Sequence, residues 1–454
     1  MKPSADQWPD GPLLAYYGDD FTGSTDAMEA MTAAGVSTVL FLSTPSPAMR
    51  ARFSDARCIG IAGSSRGRSP EWMDAELPTI FAALASLKAP ILHYKVCSTF
   101  DSSPGIGSIG RAIDLGTKTM PGRWTPTIVG APRLKRYQVF GNLFAAVDGI
   151  GYRLDRHPTM SRHPVTPMAE SDLRRHLALQ TSRRIELIDM LQLRHGSAAQ
   201  SVIDLQHDDV PVVLVDVLDE ETLRAAGRLL WEQRGEGFFS ASSSGLQYAL
   251  AAHWRALGLI PAEPSLPKPS PVSSIAVVSG SCSPVTASQI AWARHNGFVT
   301  ERLQLPRALD ANVREDEIER VVKVAIAALE RGTSPLVFSA EGPDDETVLG
   351  FDALARDARL SRPDAARLVG ATLAEVMRRL LDRTPLQRAV VAGGDSSGEV
   401  AGALDIEALT VSTGLAPGAP LCRAWSSVQR RDGLEIVLKG GQIGGAGFFG
   451  QARG

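Results

Sequence analysis

Two adjacent carboxylates are the first residues able to do chemistry. Asp19 and Asp20 follow the apolar run Leu13–Tyr17 in the segment Gly18-Asp19-Asp20-Phe21-Thr22-Gly23. Carboxylates at a strand end can hold Mg2+, take a proton from a hydroxyl, or cap the next helix. Capping requires only one of the two. Arg66 stands in Gly63-Ser64-Ser65-Arg66-Gly67-Arg68, directly after the apolar run Cys58–Ala62. Its planar fork suits a carboxylate, and a solvated loop charge is the competing reading. Lys95, Val96, Cys97, Ser98 and Thr99 end a third run that begins at Pro90. A cation beside hydroxyls suits a polyhydroxy acid, although a lysine at a strand end can also snorkel to water.

A second chemistry lies toward the C-terminus. The run Ala389–Ala392 leads into Gly393-Gly394-Asp395-Ser396-Ser397. This pattern predicts a strand, a tight turn, and a helix capped by Asp395, Ser396 or Ser397 that continues through Val400, Ala401 and Leu404. Free N–H groups at such a turn, with the helix dipole behind them, attract anions. An ordinary strand-to-helix turn is the alternative. Ser279-Gly280-Ser281-Cys282-Ser283 repeats the arrangement after Ile275–Val278. Glu435–Lys439 runs into five glycines within residues 440–447, led by Gly440 and Gly441. Those glycines would let a ligand approach the backbone, or would form a flexible tail.

The elements that must position these residues alternate. Leu13–Tyr17, a helix with Met28, Met31 and Ala34 inward, and Val36–Leu42 make a β-α-β opening, with Gly35 as the stop. The expected fold is α/β in two domains, each a mostly parallel sheet flanked by helices, with ligands at the carboxyl ends of strands. Residues 71–88 read as a helix, and Tyr137–Phe144 as a small strand or hairpin. Gly105-Ile-Gly-Ser-Ile-Gly110 matches the dinucleotide pattern G-x-G-x-x-G. It starts well past the strand end, however, and has Gly130-Ala-Pro-Arg-Leu-Lys135 where a ribose-binding acid belongs. Pro158, Pro164 and Pro167 exclude a continuous helix over 152–168. His157 and His163, with Arg156 and Arg162, line either a substrate entrance or a solvated basic loop. Five prolines between Pro261 and Pro271 mark a semi-rigid connector. The organisation expected is a first domain over 1–260, a linker over 261–274 and a second domain over 275–454.

Composition narrows the classes. A chain of 454 residues with 44% hydrophobic and 21% charged residues is globular, and its net charge of −3 favours neither nucleic acid nor an anionic membrane. Four scattered cysteines, Cys58, Cys97, Cys282 and Cys422, argue against disulfides and structural zinc. With no signal-like apolar core near Met1 and no run of transmembrane length, the expected location is the cytoplasm. No Walker, protein-kinase, H-E-x-x-H or G-x-S-x-G motif occurs.

Seven short segments, in order, resemble the four-carbon acid sugar kinase family. They are Asp19–Gly23, Ser64–Arg66, Lys95 with Ser98-Thr99, Pro167–Asp172, Ser279–Ser283, Gly393–Ser397 and Leu438–Gly441. The resemblance implies an N-terminal acid-binding domain, a C-terminal nucleotide-binding domain and an active site in the cleft between them, closing about the Pro-rich connector. It implies phosphorylation of a terminal hydroxyl on a short-chain sugar acid, with ATP and Mg2+ as cofactors and no metal-ligand set of the protein's own. By analogy, Asp19 or Asp20, Arg66 and Lys95–Ser98 contact the acid, and phosphoryl transfer asks for a group to take the hydroxyl proton, a role expected of Asp20 or else Asp19. Ser281, Ser283, Gly393, Gly394, Asp395, Ser396, Gly440 and Gly441 contact the nucleotide. After Ser98-Thr99 the family usually has leucine, arginine and glycine, where this chain reads Phe100-Asp101-Ser102. The lost arginine counts against a threonate- or erythronate-like substrate. With the 152–168 loop, it makes the chain look more like the branch acting on 3-oxo-isoapionate than the 3-oxo-tetronate branch. The expected partners are therefore a small sugar acid and ATP, without nucleic acid or membrane, and a homodimer is admitted. An NAD-dependent oxidoreductase and a non-catalytic sugar-acid-binding protein are the alternatives.

Overall fold

The structure is a computed structural model that describes residues 8–147, 149–163, 165–205, 210–262 and 266–454. The segment Met1–Gln7, Pro164, residues 263–265 of the proline-rich stretch and the Asp395 side chain lie outside what is described. The chain divides into two compact units, Met1–Ser265 and Leu266–Gly454.

Unit 1 opens with β1 (Leu14–Gly18), the helix Phe21–Ala33, β2 (Thr38–Phe41), β3 (Cys58–Ile61), the helix Pro70–Ala85 and β4 (Ile91–Lys95). Then come the helix Ile109–Thr119 and β5 (Thr125–Thr127), β6 (Arg136–Val139), β7 (Asn142–Val147), β8 (Ile150–Arg153), β9 (Ile185–Ile188) and β10 (Val212–Val215). The unit closes with β11 (Phe238–Ser242) and the helix Gly245–Ala256. Its main strands lie in the order β11-β4-β1-β3-β2, every pairing parallel. All residues of β1, β4 and β11 are buried, as strands covered on both faces must be. The order changes direction at β1, where ligands of such sheets collect. Two satellites complete the unit, a parallel trio β5-β10-β9 and an antiparallel meander β6-β7-β8. The meander contains the hairpin expected at Tyr137–Phe144.

Helix starts follow the capping chemistry written in the chain. Asp20, Ser69 and Ser108 each cap a helix with a side-chain oxygen, and Pro70 occupies the first turn after Ser69. Gly35, at φ +89°, ends the first helix as expected.

Unit 2 contains β12 (Ala276–Ser279), the helix Pro284–His295, β13 (Phe298–Arg302), the helix Arg314–Glu330, β14 (Ser334–Phe338), the helix Arg362–Arg383 and β15 (Arg388–Ala392). The helix Gly394–Ala403, β16 (Ala408–Ala416), β17 (Ala419–Trp425), β18 (Glu435–Lys439) and the helix Phe448–Arg453 follow. The order is β16-β17-β18-β15-β12-β14-β13, parallel from β18 to β13, with β16 and β17 antiparallel. Val277, Leu336, Val390 and Val437 bury one sheet face against Ile290, Ala293, Phe448 and Phe449. Each of the Val, Leu, Ile and Phe side chains contributes about 1.5–3 kcal/mol.

Two expectations change here. Asp395, Ser396 and Ser397 do not cap the helix after β15, because it begins at Gly394 and has Gly393 at its cap position with no side-chain bond. Those residues belong to the first turn instead, and the Ser397 hydroxyl donates back to Gly393 O at 2.7 Å. Nor is the glycine-rich end a loose tail. Buried Arg388 donates to Glu435 at 2.6 Å and to Ala452 O at 2.8 Å, holding the last helix to the sheet.

Candidate functional site

In unit 1 the ends of four parallel strands are sewn together by backbone bonds. Asp19 N donates to Lys95 O, Arg66 N donates to Asp19 O, and Val96 N donates to Ser242 O, each at 2.9 Å. This brings Asp19 and Asp20 from β1, Arg66 from the turn after β3, and Lys95 from β4 to one place. Nε and Nη2 of Arg66 donate to Asp19 at 3.1 and 2.7 Å, while Nη1 and Nη2 donate to Asp20 at 3.0 and 2.8 Å. Four of the five guanidinium N–H donors are thereby spent on the chain's own carboxylates. Arg66 therefore organises the acidic pair and keeps one Nη1 hydrogen in reserve. Against the pull of burial, Asp19, Cys97 and Asp20 hold its pKa well above the ordinary arginine value.

The two aspartates differ. Asp19 is 3% exposed, and burial, set against Arg66 and reinforced by Asp20, raises its pKa to about 6. Asp20 keeps a quarter of its side chain exposed, so it is the carboxylate a ligand can reach. It also caps the first helix, accepting from Gly23 N and the Thr22 hydroxyl at 2.8 Å each. Capping and a chemical role are thus compatible in one residue. Gly23 is needed for proximity: a Cβ there would lie 2.3 Å from Asp20 Oδ1 and 3.2 Å from Lys95 Nζ.

Lys95 is buried, its Nζ donating to Val96 O at 3.0 Å and facing Asp26 at 3.6 Å. It does not snorkel to water. Val96 is fully buried, and Cys97 and Ser98 are half-buried at the rim. The Cys97 thiol contacts the Thr99 hydroxyl at 2.9 Å, and burial pushes its pKa up to about 11. Thr99 donates to Asp101 at 2.6 Å. Although burial opposes it, Arg66 followed by Thr99 keeps the Asp101 carboxyl below its ordinary range. Phe100, fully buried at φ +55°, makes the sharp turn that brings Asp101 back toward Arg66.

The remaining sequence candidates of unit 1 fall elsewhere. Gly105–Gly107 form a bend, and Ser108 caps the following helix. A Cβ at Gly107 would lie 2.3 Å from Arg66 O, and one at Gly110 2.6 Å from the Gln180 backbone. Those glycines pack backbone on backbone, so the dinucleotide pattern is not a phosphate turn. His157 is buried, and its Nδ1 accepts from Thr159 N and Met160 N, while His163 Nδ1 accepts from Thr166 N. Both histidines close local turns, and Arg156 and Arg162 point to solvent.

In unit 2 three loops meet at the ends of β12, β15 and β18. Gly280 N donates to Ala392 O at 3.0 Å and Gly393 N to Lys439 O at 2.9 Å. Gly393 takes φ +125°, a conformation open essentially to glycine alone, and a Cβ there would lie 3.2 Å from Ser396 Oγ and 3.4 Å from Ser281 N. A Cβ on Gly441 would lie 2.4 Å from Ser281 Oγ. The predicted Ser281, Ser283, Gly393, Gly394, Ser396, Gly440 and Gly441 thus converge. The backbone of Asp395 lies in the same turn.

Ser283 caps the helix Pro284–His295 and donates to Gly441 O at 2.5 Å, with Thr286 adding a second donor at 2.8 Å. Gln289 Nε2 reaches Ile443 O, Gly444 O and Gly445 O at 2.9–3.2 Å. Sequence reasoning missed Thr286 and Gln289, although Ser283, Thr286 and Gln289 recur every third residue on one helix face. It also missed Asp26, the partner of Lys95, because an acid inside a helix carries no signal until the strand end opposite it is known. Among the described residues no group of three or more His, Cys, Asp or Glu side chains could hold a metal ion, and no helix is long and apolar enough to cross a membrane.

The chain thus has a parallel-sheet unit with a carboxylate–guanidinium cluster and a second unit in which three small-residue loops converge, the organisation of a two-domain α/β protein. Residues 14–250 match the family described as the sugar-binding N-terminal domain, and residues 276–449 match the nucleotide-binding C-terminal domain. The chain belongs to the four-carbon acid sugar kinase family, the one its motifs resemble. It is 71% identical over 450 residues to the 3-oxo-isoapionate kinase of Paraburkholderia graminis, covering 99% of this chain and 96% of that protein. The 3-oxo-tetronate kinase of Pseudomonas fluorescens is 29% identical, covering 98% and 97%. A solved structure from Salmonella typhimurium LT2 shares the fold with a TM-score of 0.80 at 24% identity, over 97% of this chain and 98% of that one.

Proposed function

We propose that this protein is an ATP-dependent kinase that phosphorylates a terminal hydroxyl of a short-chain oxidised sugar acid, 3-oxo-isoapionate, giving the 4-phosphate. The observation that carries the substrate is the 71% full-length identity to a 3-oxo-isoapionate kinase. The 3-oxo-tetronate kinases, at under 30%, supply the runner-up substrate. The acid-binding part spans 1–260, the linker 261–274 and the nucleotide-binding part 275–454, and the protein works in the cytoplasm.

Phosphoryl transfer needs a positioned hydroxyl, an acceptor for its proton and charge neutralisation at the phosphates. Asp20 accepts the hydroxyl proton, being the reachable member of the pair. Arg66 fixes the orientation of both carboxylates and offers its remaining Nη1 hydrogen to the acid. Lys95 supplies positive potential from beneath, and the Val96–Ser98 backbone and hydroxyl meet the polar groups of the acid. In unit 2 the backbone of Gly393–Ser396 and Gly440–Gly441, with Ser281 and Ser283, holds ATP. With Arg66 occupying the aspartates, Mg2+ would be held mainly by the phosphates of ATP and would supply charge neutralisation there.

The test is an ADP-release panel with 3-oxo-isoapionate, 3-oxo-tetronates, threonate and erythronate, with the phosphorylated carbon located by NMR. The branched acid should give the highest kcat/KM. Turnover confined to an unbranched acid would overturn the substrate, and ligand binding without ADP release would make the protein a sensor.

A further inference from the structure

Lys439, the last residue of β18, is completely buried, and its Nζ has no hydrogen-bond partner among the described residues. Its nearest polar compensation is the face of Phe448, with Nζ 5.7 Å from the ring centroid. An ammonium group carries three donors, and burying it without an acceptor is unfavourable; a ring face offsets only part of that cost. A lysine with a purely structural role would pair with a carboxylate or run its stem out to water. Among the described residues Lys439 does neither.

Its position suggests what completes it. The carbonyl of Lys439 receives Gly393 N, so the residue joins the glycine turn of β15 to the loop that starts at Gly440. Gly440 and Gly441 follow without side chains. The nearby hydroxyls of Ser283 and Thr286 are turned toward Gly441 O rather than toward the ammonium. Of residues 440–447, only Ile443 has its backbone N–H hydrogen-bonded within the described chain, to Gly440 O. A buried cation without an acceptor among the described residues therefore adjoins a row of solvent-accessible N–H groups that the described backbone leaves open. An anion placed there would meet both.

We infer that Lys439 is the phosphate-contacting cation of unit 2, its ammonium donating to a phosphate oxygen of the nucleotide held on the 393–396 and 440–441 turns. This rests on the nucleotide-binding reading of unit 2 and adds the one charged group that the turns themselves lack. Burial alone lowers the pKa of Lys439, to about 8, and no charged neighbour among the described residues counters or reinforces that effect. A phosphate within reach favours the charged form, so nucleotide binding above pH 8 should draw a proton onto the side chain.

The experiment is calorimetric titration of the full-length protein with ADP and with adenosine at pH 8.5, in two buffers of different ionisation enthalpy. The unmutated protein should take up most of a proton with ADP and none with adenosine. K439M should weaken ADP at least about tenfold, leave adenosine unchanged and abolish the proton uptake. Its Tm should not fall, because an unpartnered buried charge has been removed. ADP binding to K439M as tight as to the unmutated protein would overturn the inference, as would equal proton uptake with ADP and adenosine. The uptake comparison needs no variant, so it decides even if K439M folds poorly. Failure of the unmutated protein to bind ADP would instead overturn the nucleotide-binding reading, and this inference with it.

Discussion

Replacing Arg66 by Met removes four charge-assisted hydrogen bonds and leaves Asp19, 3% exposed, without its cation. Hydrogen bonds to charged groups contribute about 1.5–3 kcal/mol each before desolvation is counted. Deleting one partner of a buried pair costs about 3–5 kcal/mol, because the other charge remains. About a quarter of the Arg66 and Asp20 side chains is exposed, which places the expected loss near 3 kcal/mol at neutral pH. The midpoint of urea unfolding should fall by on the order of 1 M. The loss should also depend on pH. The Asp19 carboxyl is raised to about 6 by burial while Arg66 pulls it down, so without Arg66 it rises further. A group with a raised folded-state pKa stabilises below its unfolded value, and that contribution is lost as pH rises through the folded pKa. Protonated Asp19 does not need the guanidinium. R66M should therefore cost less at pH 5, where only the Asp20 contacts are lost, than at pH 8, where ionised Asp19 is stranded too. In a double-mutant cycle with D19N the two substitutions should couple by more than about 1 kcal/mol at pH 8. An equal loss at pH 5 and pH 8, or a coupling near zero, would refute the idea that Arg66 exists to hold the acidic pair.

Three further outcomes are expected. D20N should lower kcat by about 10²–10⁴-fold; asparagine keeps the helix cap but gives up the charge facing Arg66 and one of its two acceptors, so stability should fall by about 1–3 kcal/mol, and near-normal kcat would remove Asp20 as the base. G393A should destabilise unit 2 by about 1–3 kcal/mol, because φ is +125° and the new Cβ meets Ser396, and it should raise the KM for ATP more than that for the acid. His93 and His176 have their pKa values pushed down to about 3 and 4, chiefly by burial. Their NMR resonances should not titrate between pH 5 and 8. A depressed folded pKa gives stability that is present above the unfolded value, so each ring costs up to about 1.4 kcal/mol per pH unit on acidification below pH 6.5.

What the sequence disclosed depended on the range of the interaction. Strand ends were legible because an apolar run followed by Gly18-Asp19-Asp20 or Ala392-Gly393-Gly394 is a local pattern of burial and backbone freedom. The cap at Asp20 was legible for the same reason, whereas Gly393 holds the cap position expected of Asp395, Ser396 or Ser397. The use of Arg66 was not, since its fork is filled by residues more than forty positions away. The pattern Gly105–Gly110 misled because close backbone packing and phosphate binding both select glycine. Only the distance to Arg66 O and Gln180 distinguishes them. The sequence could not separate the two uses of His157 either, because turn closure and ligand contact call on the same imidazole nitrogen.

The side chains of Ser283, Thr286 and Gln289 grip the 440–447 loop solely by its carbonyl oxygens. Such a loop is held in place without its amides being covered, which separates two properties usually measured as one. Its amide hydrogens should exchange with deuterium almost as fast as those of a disordered peptide, although the backbone has little freedom to move. An order parameter from relaxation would report rigidity where exchange reports exposure. Binding of a nucleotide would slow the exchange without any change of shape, and the loop would register its ligand through protection alone.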